Sequence, residues 1–149
     1  MSAENKALVR RWFDEVWNKG RSSAIDEMIA EHSMVHGLGP DLRGPAQFKP
    51  FQAAFRGAFP DIAIVVEELI AEGDLVAARF TATGTHQGDS LGFPATGRKM
   101  RVGGMVFLRT ENGAFVEGWN NFDQLGMLQQ LGVVETPSPD AGNRASEQR

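Results

Sequence analysis

The sequence predicts an α+β fold: a cone-shaped, curved antiparallel sheet covered by N-terminal helices. Three observations predict it. Near the start, apolar residues fall at helical spacing (Leu8, Val9, Trp12, Phe13, Val16, Trp17). From Ile62 onward the apolar period changes to two, in long runs divided by Gly-containing turns. Those runs reach about twelve residues, against a usual ~5–6 for a strand, and long strands must curl.

The first helix is expected over 3–19, and Gly20 can supply the left-handed residue that ends it. A short helix over 23–29 turns Ile25, Met28 and Ile29 inward, and 32–36 reads as an extended piece before the loop Gly37-Leu38-Gly39-Pro40. Gly44-Pro45 opens a third helix, with proline suited to the first turn. Its stripe is Phe48, Phe51, Phe55 and Phe59, and Pro60 stops it.

Strands follow over 62–72 and 75–86, joined at Gly73-Asp74. The second places Val76, Ala78, Phe80 and Ala82 on one face, with Arg79, Thr81, Thr83 and Thr85 on the other. An outward Arg79 paired with Glu67 or Glu68 is expected. After a Gly- and Pro-bearing loop come strands over 98–109 and 114–121, turning at Asn112-Gly113, a pair that takes positive φ readily. Gly103-Gly104 sits where a bend or bulge would fall. A last helix covers 124–131. One domain over 1–135 is expected, with a flexible tail over 136–149 that has no apolar anchor.

Composition narrows the chemistry. The 149 residues include ten Phe and three Trp but no Tyr and no Cys, with a net charge of −4. Disulfides, thiolate metal sites, cysteine nucleophiles and phenol-dependent mechanisms are excluded. No basic stripe suggests nucleic acid, no signal peptide is visible, and no segment has the ~20 apolar residues of a membrane span. The expected partner is a small apolar molecule, with no nucleic acid or membrane, and the default location is the cytoplasm.

Asp123 is the first candidate catalytic residue. On a regular strand it shares a face with Trp119 and Asn121, where desolvation would suit an acid–base role. It is equally placed to cap the helix that follows. His86 continues the apolar face of its strand, and His36 precedes a glycine loop; each could contact a ligand and move a proton near neutral pH, or be a half-buried histidine bonded to backbone. His32 is expected to be exposed. Phe51, Phe55, Met105 and Phe107 could line an apolar cavity or simply fill the core. A metal site needs three or four converging ligands, and none is expected.

Thr85-His86-Gln87-Gly88, Pro94-Ala95-Thr96-Gly97, Trp119 through Asp123, and Gln124-Leu125-Gly126 with Gln129-Gln130-Leu131-Gly132 together resemble the SnoaL-like polyketide cyclase family. His36 with Gly44-Pro45 resembles an earlier stretch of that family. The resemblance covers nearly all of the chain except the tail. It implies the cone fold shared with nuclear transport factor 2, steroid isomerases and limonene epoxide hydrolase.

It also implies ring closure of a polyketide ester by an intramolecular aldol step, without metal or cofactor. The family's acid–base aspartate falls on Asp123, with Asn121, His36 and His86 as candidate enolate donors and Trp119, Phe51, Phe55, Met105 and Phe107 as substrate contacts. Cyclases of the family carry polar ligands on the strand before the last; here it reads Gly103 to Leu108 with none, so a different apolar substrate is also open. Alternatives are a non-catalytic binding protein of the same fold and an epoxide hydrolase-like enzyme using Asp123 with Arg79 or Arg101. A homodimer or higher homo-oligomer is expected, because sheets of this fold expose an outer face.

Overall fold

The N-terminal helix is built in two parts. Helix α1 (Ser2–Arg11) passes without a break into a π-helix over Trp12–Asn18. Lys19 N donates to Asp14 O at 2.8 Å, a bond spanning five residues. Its wider turn buries Trp12, Phe13, Val16 and Trp17 together. Gly20, at φ 69°, ends it as the sequence predicts. The carbonyls freed at its end are met from another helix: Gln52 Nε2 donates to Val16 O at 2.8 Å, and Arg56 Nη1 donates to Trp17 O.

In this computed structural model residues 2–135 are described, and the expected flexible tail lies outside them. Helix α2 (Ser22–Met28) puts Ala24, Ile25 and Met28 into the core, and β1 (Ile29–His36) follows directly. A two-residue strand, β2 (Leu42–Arg43), precedes α3 (Gly44–Ala58), which carries the phenylalanine stripe. Strands β3 (Ala63–Glu72), β4 (Leu75–Thr85), β5 (Lys99–Glu111) and β6 (Ala114–Phe122) come next, and α4 (Gln124–Gln130) closes the described chain. Element types agree with the sequence reading throughout, apart from the π-helix and β2. Among the described residues no helix is long and apolar enough to cross a membrane.

The sheet runs β2-β1-β6-β5-β4-β3. It is mixed rather than wholly antiparallel, because β1 lies parallel to β6, with Val35 beside Gly118 and His36 beside Trp119. A parallel pair needs a long connection, and α3 with β3 to β5 supplies it. Register shifts fall between Val66 and Glu68 on β3 and between Arg109 and Thr110 on β5. Such bulges bend a strand and raise its twist.

No bulge occurs at Gly103-Gly104 in the β4–β5 ladder, which runs unbroken from Leu75 opposite Arg109 to Thr85 opposite Lys99. Gly104 instead leaves room for Phe80: a Cβ there would enter the ring. The predicted inner face of β4 is buried, and on the outer face Arg79 pairs with Glu68 at 2.7 Å. Past the end of β6, Gln130 of α4 bonds Arg101 N and O at 2.7 and 3.0 Å, taking a strand's place beside β5.

Candidate functional site

Between the helices and the inner face of the sheet lies a cavity of about 80 Å³. The π-helix contributes Trp12, Phe13 and Trp17, and α3 contributes Phe48, Phe51 and Phe55. Tilted and edge-on contacts 5–6 Å apart link these rings, among them Trp12–Phe48 at 5.1 Å and Trp17–Phe55 at 6.0 Å. The sheet supplies Phe80 and Ala82 from β4, Met100, Val102, Val106 and Leu108 from β5, and Phe115 and Phe122 from β6. Three residues with hydrogen-bonding side chains other than the indoles border it: Ser33, Glu117 and Asn120. Among the described residues no Lys, Arg or His lines it.

Ser33, on the inner face of β1, is 1% exposed and its Oγ has no hydrogen-bond partner. Asn120 is half-buried and its Nδ2 donates to His36 O at 3.4 Å. Glu117 Oε2 lies 2.8 Å from His36 Nε2, and Asp41 Oδ1 lies 3.0 Å from His36 Nδ1. Both imidazole nitrogens therefore face carboxylates, Glu117 first and Asp41 second, and they hold the ring above the ordinary histidine range. The ring also stacks on Trp119, with centroids 5.8 Å apart.

The structure brings Phe51 and Phe55 to the cavity as the sequence suggests. The other predicted residues are placed elsewhere. Trp119, Asn121 and Asp123 do share a face, but it is the outer one, where they border a shallow groove with Met105 and Phe107. Met105 is 61% exposed and Phe107 55%. The expectation that these residues wall the interior is corrected, and for β6 the reason is local: from Phe115 to Glu117 strand β6 advances two residues while β5 advances one, from Thr110 to Arg109. That bulge reverses the alternation, so Phe115, Gly118, Asn120 and Phe122 point in, and Trp119 and Asn121 point out.

Asp123 is an exposed helix cap: its Oδ1 accepts from Gly126 N at 2.8 Å. His86 is fully buried between Phe59 and Phe93, and its Nδ1 accepts from Thr96 N at 3.0 Å. With Gly97 N donating to His86 O at 2.8 Å, it fastens the loop after β4 and does not line the cavity. His36 on β1 and His86 after β4 stand three strands apart, on the order of 14 Å at ~4.8 Å per strand. His36, His86 and Asp123 thus form no common centre. His32 is exposed as expected. Arg79 and Arg101 are both exposed and neither borders the cavity, so no Asp-Arg-Asp arrangement forms inside it.

The model of one family, the SnoaL-like polyketide cyclases, fits residues 7–131. The chain belongs to that family. Aklanonic acid methyl ester cyclase DnrD of Streptomyces peucetius is 32% identical over 137 residues, covering 89% of this chain and 93% of the relative. DauD of Streptomyces sp. (strain C5), also an aklanonic acid methyl ester cyclase, is 32% identical over the same length and is covered over 84%. Among solved structures, AclR from Streptomyces galilaeus, with a proposed hydroxylase activity, superposes with a TM-score of 0.84 at 26% identity. That match covers 99% of this SnoaL-like chain and 93% of AclR.

Sequence reasoning passed over Ser33, Glu117 and Asn120. A signal was present for Ser33, a small hydroxyl two positions before Val35 on an otherwise inward face. None was present for Glu117, whose contact with His36 depends on a parallel strand pairing that local periodicity does not encode.

Proposed function

We propose that this SnoaL-like protein is a ring-closing enzyme that acts, without a cofactor, on an apolar carbonyl compound of the polyketide ester class inside the cavity. The observation that carries this reading is the aromatic cavity bordered by the Glu117 carboxylate, which is itself paired with His36. The two relatives named as aklanonic acid methyl ester cyclases support the substrate class.

In an intramolecular aldol closure a proton leaves a carbon beside one carbonyl. That carbon then bonds to a second carbonyl carbon, and the resulting alkoxide takes a proton back, so no atom is gained or lost. The step needs a group that accepts and returns the proton, and donors near the developing oxyanion. Glu117, paired with His36, is the titratable residue at the cavity border, and the Asn120 amide is a donor there. Asp123 does not border the cavity; its carboxylate is exposed and accepts from Gly126 N.

The test is incubation with aklanonic acid methyl ester, followed by chromatography for a product of unchanged mass and altered retention. Glu117→Gln is expected to slow closure at least tenfold with the fold intact. A full rate in Glu117→Gln together with loss in Asp123→Asn would return the role to Asp123. A second reading, a non-catalytic binding protein, is favoured by the wholly apolar β5 wall of Met100, Val102, Val106 and Leu108. Ligand recovered unchanged, with no isotope exchange at its acidic carbons, would decide for it. We also propose that the chain self-associates through the exposed Met105, Phe107, Trp119 and Leu125; a monomeric mass in solution would count against this.

A further inference from the structure

The cavity contains one polar atom whose presence packing does not explain. Ser33 lies on β1 directly before Met34, which pairs with Glu117 of β6. Ile29, Val35, Phe48 and Phe115, which line the same cavity, are all buried. Its hydroxyl has one donor hydrogen and two acceptor lone pairs, and none of them is used. An unmade hydrogen bond in such surroundings is unfavourable relative to water. Alanine would fill the position without that cost.

We infer that Ser33 is a specificity-determining residue, whose hydroxyl binds a neutral oxygen (ketone, ester carbonyl or phenol) on the leading end of the ligand. The inference rests on the reading that the cavity holds the ligand. Three features fix the chemical class. The surrounding rings and aliphatic chains accept an apolar body. The oxygen must be uncharged, because among the described residues no basic side chain lines the cavity and an ionised carboxylate would be stranded away from water. The orientation follows from burial: Ser33 is 1% exposed, whereas Leu38, Asn120 and Phe122 at the other end are only half-buried. Along the parallel β1–β6 pair, Ser33 and Asn120 are separated by about four residue steps, roughly 13 Å at ~3.3 Å per step. An elongated ligand would therefore place one oxygen on Ser33 and a second near the Asn120 amide.

The probes are acetophenone and ethylbenzene, which share shape and differ in one oxygen, with benzoate as the charged control. Binding to the full chain is measured by isothermal titration. Ser33→Ala is expected to weaken acetophenone about 5- to 10-fold while leaving ethylbenzene within about twofold. Benzoate is expected not to bind the wild type. Ser33→Cys, close in size but a weaker donor, should fall between. Equal changes for acetophenone and ethylbenzene would overturn the inference and leave Ser33 to a buried water. So would an unchanged acetophenone affinity, tight benzoate binding, or no binding of either neutral probe to the wild type. Turnover plays no part in this readout. A Ser33 effect without ring closure would therefore remove the proposed reaction and keep this site, while ring closure without a Ser33 effect would do the reverse.

Discussion

His36 Nε2 stands 2.8 Å from Glu117 Oε2 and joins two residues 81 positions apart in sequence. With Asp41 on the other ring nitrogen, the pair ties the end of β1 to β6 and to the loop beyond. The folded protein therefore binds the histidine proton more tightly than the unfolded chain does, relative to the reference value of 6.5. The stability this contributes is fully present below about pH 6.5 and is lost as pH rises through the higher folded value. The expected outcome is a melting-temperature gap between wild type and His36→Gln that is widest near pH 5.5 and narrows steadily above pH 6.5. A gap that is flat from pH 5 to pH 9 would contradict the pairing.

The second prediction concerns Asp123 as a cap. Gly126 has no Cβ, and one placed there would collide with the Asp123 carboxylate. Asp123→Ala is expected to cost about 1 kcal/mol, a drop of roughly 3 °C in melting temperature. Gly126→Ala should cost a similar amount by displacing the same carboxylate. Because both act on one hydrogen bond, the double variant should lose clearly less than the sum of the two single losses. Ring-closing activity of Asp123→Ala, assayed well below the melting temperature, is expected to persist.

Much of the fold was legible because amphipathic spacing is local. The Phe48-Phe51-Phe55 stripe and the Val76-Ala78-Phe80-Ala82 alternation each declare a face without reference to the rest of the chain. The site was harder to read. A single bulge at Val116 turns Trp119 and Asn121 outward and Asn120 inward, and no residue type at 114–118 announces it. The inward face of β6 also contains Gly118, which carries no hydrophobic signal. The outward face of β5 carries Met105 and Phe107, so the apolar pattern there points the wrong way. The resemblance to the family located the cavity's fold but could not say which side of β6 this chain presents to it.

The adjacent glycines of β5 give a third prediction, because alternation puts them in opposite environments. A Cβ on Gly104 would overlap the Phe80 ring and crowd Phe122, whereas one on Gly103 meets nothing nearer than Phe80 O at 3.9 Å. Gly104→Ala should destabilise by about 1–3 kcal/mol through overpacking. Gly103→Ala should stay within about 0.5 kcal/mol of wild type. Chemical denaturation of the two variants side by side is the measurement, and equal losses would mean that the β5 faces are assigned wrongly.

The last prediction joins the π-helix to the cavity. Gln52, 3% exposed, donates its Nε2 hydrogen to Val16 O, one of the carbonyls left open where the π-helix ends. Leucine at this position keeps the volume and removes the donor, leaving a buried acceptor unpaired at a cost of about 1–3 kcal/mol. The neighbouring turn carries Trp12, Phe13 and Trp17 into the cavity, so loosening it should blur the wall as well as lower stability. Gln52→Leu is therefore expected to melt several degrees lower and to bind ethylbenzene more weakly, although Gln52 itself does not line the cavity. Gln52→Glu places a carboxylate against the same carbonyl and should be worse still. If both variants melt lower but bind ethylbenzene with wild-type affinity, the π-helix end serves stability alone and the cavity wall is set by α3 and the sheet.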